Sequence, residues 1–148
     1  MEPKPFSYDQ PSHARLLGVA EAPAPFLAPS LYEMAILQGL STEALRHVAR
    51  VIFPDPAEAN RLIHAIVPKS SLNRRGTLTQ AQGEQTERLA RLFTYAQHVF
   101  GDIEDARAFM RRPHPELGDR RPVDACLTEL GGRAVESILD SIAFGLPV

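Results

Sequence analysis

The chain has 148 residues, a length expected for one domain or for two very small ones. Apolar residues make up 44% and charged residues 23%, so the composition indicates neither a disordered chain nor a membrane protein. No apolar run approaches the roughly 18 residues that span a bilayer. The single cysteine, Cys126, cannot form an internal disulfide, which agrees with a reducing compartment. We therefore expect a cytoplasmic protein.

Charge is distributed unevenly along the chain, although the formal net charge is only −2. Between Arg61 and Arg91 there are six basic residues and two acidic ones, a local excess of four positive charges. From Gly101 onward, nine acidic residues outnumber six basic ones. This asymmetry favours an anionic partner for the middle of the chain and a different partner for its end.

Proline dominates the start of the chain, where residues 1–30 contain six of the thirteen prolines. Because proline removes a backbone donor and restricts the residue before it, this composition predicts an extended, poorly ordered arm over residues 1–30. Apolar residues such as Phe26 and Leu27 leave open whether part of the arm packs on the body or on a second copy.

Helical signals begin near Leu31. Ser41 is a typical N-cap residue and precedes a helix that runs to about Phe53, with apolar positions three and four residues apart. Asp55 followed by Pro56 combines a cap with proline at the first helical position, so we predict a second helix that ends near residue 67.

A third, very short helix is predicted between Pro68 and Gly76. It follows the second helix after about three residues and is basic, which is the pattern of a helix-turn-helix. Thr79 then caps a long helix that Gly101 ends.

The short basic helix is the candidate DNA-contacting element, because it supplies donors for phosphates and for base edges. Its candidate DNA-binding residues are Lys69, Ser70, Ser71, Asn73, Arg74 and Arg75. A solvated polar face is the alternative interpretation. Pro68 also stands where a serine or threonine usually opens a recognition helix.

Beyond Gly101 the pattern remains helical. Asp102 caps a helix that Pro113 interrupts, and a proline-rich loop follows. We then predict a short helix around residues 123–127, a break at Gly131 and Gly132, and a final helix. No segment alternates with period two for long enough to predict a strand.

The proline-rich loop has the features of a rigid corner, because its prolines force an extended path and Gly118 permits a positive φ. Arg120 and Arg121 are placed where they can pair with Asp124 or contact a partner, and both interpretations are open. Cys126 is predicted to be a small buried apolar residue.

Candidate catalytic groups do not converge in the sequence. His47, His64 and His98 each lie in a helix away from its apolar stripe, which favours a structural or solvated role, and His114 lies in the loop. No combination of residues supplies a nucleophile, a base and an oxyanion site. We therefore expect no enzyme, no metal site and no cofactor.

The C-terminal segment resembles the toxin-binding domain of the Xre/MbcA/ParS antitoxins, in which a Pro-x-Pro-x-Leu-Gly loop, a short helix, a turn and a last helix follow one another. The matching residues are Pro113, Pro115, Leu117, Gly118, Arg121, Pro122, Glu129, Gly131, Val135, Leu139 and Gly145. The resemblance covers about 45 residues closely. Residues 40–112 resemble, more loosely, the helical Xre-type domain that precedes this module in the family.

The resemblance implies both a fold and a partner. The expected fold is all-α, with an Xre-like helix-turn-helix domain over residues 31–101 and a small helical toxin-binding domain over residues 102–148. Antitoxins of this family neutralise a RES-domain toxin, an enzyme that consumes NAD or transfers ADP-ribose. The complex is expected to repress its own operon, and a helix-turn-helix protein of this kind is expected to form a homodimer.

The resemblance places the toxin-binding surface on the last helix and on the apolar end of the chain, at the entrance of the toxin's active site. The candidate toxin-binding residues are Arg133, Glu136, Asp140, Ile142, Phe144, Gly145, Leu146, Pro147 and Val148. Burial in a partner would explain an apolar end. The alternative is that Phe144 and Leu146 fold back onto the core of their own domain.

A different class of function also fits the sequence. The chain can be a stand-alone helix-turn-helix transcriptional regulator whose C-terminal module serves to oligomerise.

Overall fold

The computed structural model describes residues 16–18, 36–72 and 76–147. In this part of the chain the regular elements are helices, accompanied by two isolated β-bridges, which confirms the all-α prediction. None of the helices in these residues is long and apolar enough to cross a membrane. The predicted arm lies outside the described residues except for 16–18, where Leu17 is buried.

The described residues form two compact units. One contains the described residues up to Ala90 and the other those from Arg91 onward, so the boundary lies inside the longest helix. We refer to them as the N-terminal unit and the C-terminal unit.

The N-terminal unit is built on α1 (Thr42–Ile52) and α2 (Pro56–Ile66), which pack against each other. The side chains of Ser41 and Asp55 each accept a hydrogen bond at 3.2 Å from a backbone N–H three residues later, which confirms both predicted caps. The buried face of the two helices consists of Ala44, Leu45, Val48, Ala49, Ile52, Ala59, Leu62, Ile63 and Ile66.

Two further helices follow, α3 (Lys69–Leu72) and α4 (Gln80–Phe100). Thr79 and Gln82 cap the start of α4 reciprocally: the Thr79 hydroxyl accepts from the Gln82 N–H at 3.2 Å, and the Gln82 side chain accepts from the Thr79 N–H at 3.0 Å. This capping box confirms Thr79 as the start of the long helix.

The C-terminal unit continues with α5 (Ile103–Arg111), α6 (Pro122–Ala125) and α7 (Glu129–Ala143). Asp102 caps α5 by accepting from two backbone N–H groups, at 2.9 and 3.1 Å, as predicted. α6 packs on both α5 and α7. Cys126 is fully buried, as predicted.

The proline-rich loop between α5 and α6 is closed by its own backbone. It contains a 3₁₀ turn, Pro115–Leu117, and the N–H of His114 donates to the carbonyl oxygen of Arg120 at 3.1 Å. Gly118 has a φ of +64°, as expected, but Asp119 also has a positive φ, +58°. The corner therefore needs two consecutive left-handed residues, and the second is not a glycine.

The predicted break at Gly131 and Gly132 is wrong, because α7 runs through both residues. The Thr128 hydroxyl caps this helix by accepting from the Gly131 N–H at 3.1 Å. A Cβ atom at residue 131 would overlap the carbonyl oxygen of Ala125 and would lie 2.9 Å from the Thr128 hydroxyl. The sequence therefore has glycine at 131 because two backbone segments approach closely there, and not because the helix ends.

Gly131→Ala should lower the free energy of unfolding by about 1 to 3 kcal/mol, because the added methyl group has no space beside the Ala125 carbonyl. Gly83→Ala is the matched control. Its Cβ would lie at an ordinary 3.5 Å from Ile36 inside a helix, so alanine should stabilise the chain by about 0.5 to 1 kcal/mol. Urea unfolding followed by circular dichroism measures both changes. Equal effects of the two substitutions would contradict the close approach at residue 131.

Candidate functional site

The last helix divides its surface between a buried face and an exposed stripe. Val135, Ile138 and Leu139 are almost fully inaccessible and belong to the core of the C-terminal unit. The exposed residues at spacings of three and four are Leu130, Arg133, Ser137, Asp140 and Phe144. Because these spacings keep residues on one side of a helix, the stripe leads from the first turn of α7 to the residue that follows the helix.

The end of α7 has the backbone geometry of a Schellman motif. The N–H of Leu146 donates to the carbonyl oxygen of Ser141 at 2.7 Å, and the N–H of Gly145 donates to that of Ile142 at 3.2 Å. Gly145 has the required positive φ, +66°. The backbone of the three residues that follow the helix, Phe144, Gly145 and Leu146, is therefore held by hydrogen bonds.

Two large apolar side chains project from this defined end. Phe144 is 56% exposed and Leu146 is 58% exposed, while Ile142 is half-buried. The described residues thus place neither Phe144 nor Leu146 in the core of the C-terminal unit. Pro147 is exposed as well, and Val148 lies outside the described residues.

One side of α7 is engaged by α4 through two polar contacts. Arg91 lies 3.5 Å from Glu136, and the Tyr95 hydroxyl donates to the carboxylate of Asp140. Each pair is one helical turn from the other on both helices. Two of the predicted toxin-binding residues, Glu136 and Asp140, therefore already have partners within the C-terminal unit.

Burial and charge shift the pKa values of these groups. Desolvation, then the hydrogen bond to Asp140 and its negative charge, raise the pKa of Tyr95 above its usual value. Burial, and secondarily the carboxylate of Asp140 one turn away, raise the pKa of Glu136. The region between α4 and α7 is thus less favourable to negative charge than bulk water.

Three arginines of α7 and of the loop have local partners. Arg133 lies 3.1 Å from Glu129 in an exposed pair of the kind that contributes little to stability. Arg121 donates to both carboxylate oxygens of Asp124, at 2.7 and 3.0 Å, whereas Arg120 donates to a backbone carbonyl. Pairing with Asp124 and contact with a partner were both open for Arg121, and the structure shows the pair with Asp124.

The C-terminal unit also contains an aromatic recess that the sequence did not reveal. It has a volume of about 330 Å³ and is lined by Phe100, Phe109 and His114, among others. The ring centres of Phe100 and Phe109 are 5.4 Å apart. Both phenylalanines are only half-buried.

The candidate DNA-binding residues are described in part. Lys69, Ser70 and Ser71 are exposed on α3, whereas Leu72 is buried. Asn73, Arg74 and Arg75 lie outside the described residues. The helix-turn-helix interpretation of this segment therefore stays a prediction.

The described histidines do not converge on a common site. His47 and His98 are exposed, and His64 and His114 are half-buried in different units. Within residues 16–18, 36–72 and 76–147 there is no group of three or more histidine, cysteine or acidic side chains that could hold a metal ion.

Residues 96–145 match the family model of the antitoxin Xre/MbcA/ParS C-terminal toxin-binding domain. This region is an Xre/MbcA/ParS-type toxin-binding domain. The match ends at Gly145, so it includes the exposed stripe of α7 and the Schellman turn except for Leu146. No curated protein matches the chain.

The family match starts inside α4, as the C-terminal unit does, and both begin before the predicted domain boundary at Gly101. The last turns of α4 contribute Tyr95 and Ala96 to the buried interior of this unit. The family match therefore includes the end of the long helix, which the predicted division assigns to the preceding domain.

Tyr95→Phe should lower the free energy of unfolding by about 1 kcal/mol near neutral pH, because it removes the hydrogen bond to Asp140. The raised pKa of Tyr95 means that the folded chain holds its hydroxyl proton more tightly than the unfolded chain does. The stability that Tyr95 contributes is present below pH 10 and is lost as the pH rises above it. Unfolding measured at pH 8 and pH 11 should therefore show a smaller gap between wild type and variant at pH 11. A gap that does not change with pH would contradict this assignment.

Proposed function

We propose that the chain is the antitoxin of a type II toxin–antitoxin system and that it neutralises a RES-type toxin by steric occlusion. The single observation that carries the proposal is the exposed apolar pair, Phe144 and Leu146, on an ordered turn at the end of the toxin-binding domain. The toxin would be an enzyme that consumes NAD or transfers ADP-ribose, as the family resemblance implies.

The exposed stripe of α7 extends this surface. Arg133 and Phe144 lie on the same side of the helix, and both are exposed. Asp140 lies on the stripe too, and it accepts the hydrogen bond from Tyr95. A contact surface of this kind combines an apolar end with a polar rim, which is the usual arrangement of protein interfaces.

Phe144 and Leu146 are expected to contribute most of the affinity. Full burial of an exposed side chain of this size contributes about 1.5 to 3 kcal/mol. Apolar anchors that enter a pocket carry most of the energy of typical interfaces, while the surrounding polar contacts exclude water. In this proposal the two side chains enter the mouth of the toxin's active site, and Glu136 contributes less because Arg91 already engages it.

Replacing Phe144 and Leu146 together by Asp should abolish growth rescue in cells that express the toxin encoded beside this chain. Both side chains are more than half exposed, so the fold should be unaffected, as circular dichroism would verify. Leu37→Asp is the matched control, because Leu37 is similarly exposed, at 60%, and lies in the N-terminal unit. Full rescue and co-purification of the toxin with the double variant would refute the role of the tail. Stable oligomers of the chain that depend on the same two residues, with no toxin bound, would favour the stand-alone regulator.

We also propose that the N-terminal unit binds operator DNA as a homodimer, through Lys69, Ser70, Ser71, Asn73, Arg74 and Arg75. The support is that α2, a short turn and α3 follow one another as in a helix-turn-helix, and that three polar residues of α3 are exposed. A dimer places two such elements on successive half-sites one helical turn of DNA apart. The antitoxin would repress its own operon in this way.

Replacing Arg74 and Arg75 together by Ala should weaken operator binding and should reduce the slope of log K against log salt concentration by about two, one for each lost phosphate contact. Fluorescence anisotropy with a labelled operator duplex at several salt concentrations measures both effects. Toxin neutralisation by the same variant should equal that of the wild type. An unchanged slope would remove these two residues from the DNA interface.

A further inference from the structure

A second site lies in the N-terminal unit, in a cleft of about 310 Å³ where α1, α2 and α3 meet. The polar side chains that line it are Arg46, Arg50, Asn60, His64 and Lys69. Two apolar residues, Ile63 and Leu72, complete the lining and are buried. We call it the basic cleft.

Each helix contributes cationic or donor groups to the basic cleft. Arg46 and Arg50 are one turn apart on α1, and Lys69 is the first residue of α3. None of the lining residues carries a carboxylate. The cleft is therefore positive, although the whole chain has a net charge of −2.

Arg46 is held in place at one side of the cleft. Its guanidinium donates to the carbonyl oxygen of Leu72 at 3.2 Å, and its Nε lies 3.4 Å from Glu43, which does not line the cleft. This geometry fixes a positive charge against the end of α3. These two contacts make Arg46 a fixed part of the wall of the cleft.

Two other groups offer free donors. Among the described residues, neither Arg50 nor Lys69 has an ion-pair partner, and both are exposed. His64 is half-buried and forms part of the wall of the cleft.

We propose that the basic cleft binds one phosphate group. Donors from three helices surround the space, which suits a tetrahedral oxyanion with several accessible oxygens better than a planar carboxylate with two. A water molecule occupies roughly 30 Å³ in the liquid, so a cleft of about 310 Å³ accommodates a phosphate with several waters. Arg50 and Lys69 neutralise its charge, and His64 lies in the wall of the cleft beside it.

The phosphate can come from the DNA backbone or from a small phosphorylated molecule. Lys69 belongs to both the basic cleft and the proposed DNA-binding segment, so a backbone phosphate of the operator is the source that connects the two. That connection rests on the proposed DNA binding. Phosphate binding by the cleft itself does not.

Titration of the full chain with inorganic phosphate, at constant ionic strength in chloride, tests the site directly. In ¹H–¹⁵N NMR spectra of the imidazole rings, the His64 signals should shift and saturate, while those of His98, which does not line the cleft, should not move. Arg50→Gln should weaken phosphate binding about tenfold, as expected for the loss of one charge-assisted hydrogen bond. The matched control is Arg61→Gln, since Arg61 is an exposed arginine of α2 outside the lining.

A second arm uses a 20-base-pair duplex of unrelated sequence and measures its affinity at several salt concentrations. If Arg50→Gln lowers the salt slope by about one and Arg61→Gln does not, the cleft binds a backbone phosphate. If inorganic phosphate binds but the duplex does not, the cleft binds a small phosphorylated molecule. In that case the proposal of DNA binding is wrong, and the proposal of phosphate binding holds. If phosphate produces no saturable shift of His64, and Arg50→Gln behaves like Arg61→Gln in both arms, the proposal is overturned.

Discussion

The C-terminal unit depends on the close approach between the first turn of α7 and the carbonyl oxygen of Ala125 at the end of α6. Gly131 permits this approach because it has no side chain, and the Thr128 hydroxyl caps the helix at the same place. The contact sets the direction in which α7 leaves the turn. That direction places Val135, Ile138 and Leu139 in the core and leaves the opposite stripe, with Phe144 at its end, exposed.

The contacts with α4 fix the rotation of α7 about its own axis. Arg91 and Tyr95 engage Glu136 and Asp140 one turn apart, so a rotated helix would lose both interactions together. Their contribution to stability is modest, because a partly exposed ion pair contributes about 0 to 1 kcal/mol and a single hydrogen bond about 1 kcal/mol. The raised pKa of Glu136 agrees with this, since its main cause is the cost of burying the carboxylate. We infer that these polar pairs select one orientation of α7 rather than hold the unit together.

Local signals in the sequence were sufficient to predict most helix starts. Ser41, Asp55, Thr79 and Asp102 act as caps through hydrogen bonds to residues two or three positions away, which a sequence displays directly. The structural role of a glycine was harder to predict, because its cause can be local or distant. Gly101 ends a helix through its own φ of +70°. Gly131 is required by a carbonyl oxygen in another helix, and helical periodicity contains no information about that contact.

The two candidate surfaces, the apolar tail and the basic cleft, also differ in how far local sequence signals predict them. The resemblance to a toxin-binding domain predicts a contact surface at the tail, but it leaves open whether Phe144 is buried, because that depends on the Schellman turn after α7. The basic cleft could not be predicted at all. Arg50 and His64 are ordinary polar residues of two amphipathic helices, and the packing of α1 on α2 and the position of α3 bring them together.

In the proposed complex with the toxin, the ordered end of α7 lowers the cost of docking through few side chains. A flexible apolar tail would lose conformational freedom on docking, and each side chain that is immobilised costs about 0.5 to 1.5 kcal/mol. Here the backbone under Phe144 and Leu146 is already held by the hydrogen bonds to Ser141 and Ile142. Part of this conformational free-energy loss therefore occurs when the domain folds, and more of the free energy of apolar burial contributes to the affinity. In the proposed complex Gly145 therefore supports docking without contacting the partner through a side chain, because its positive φ closes the turn.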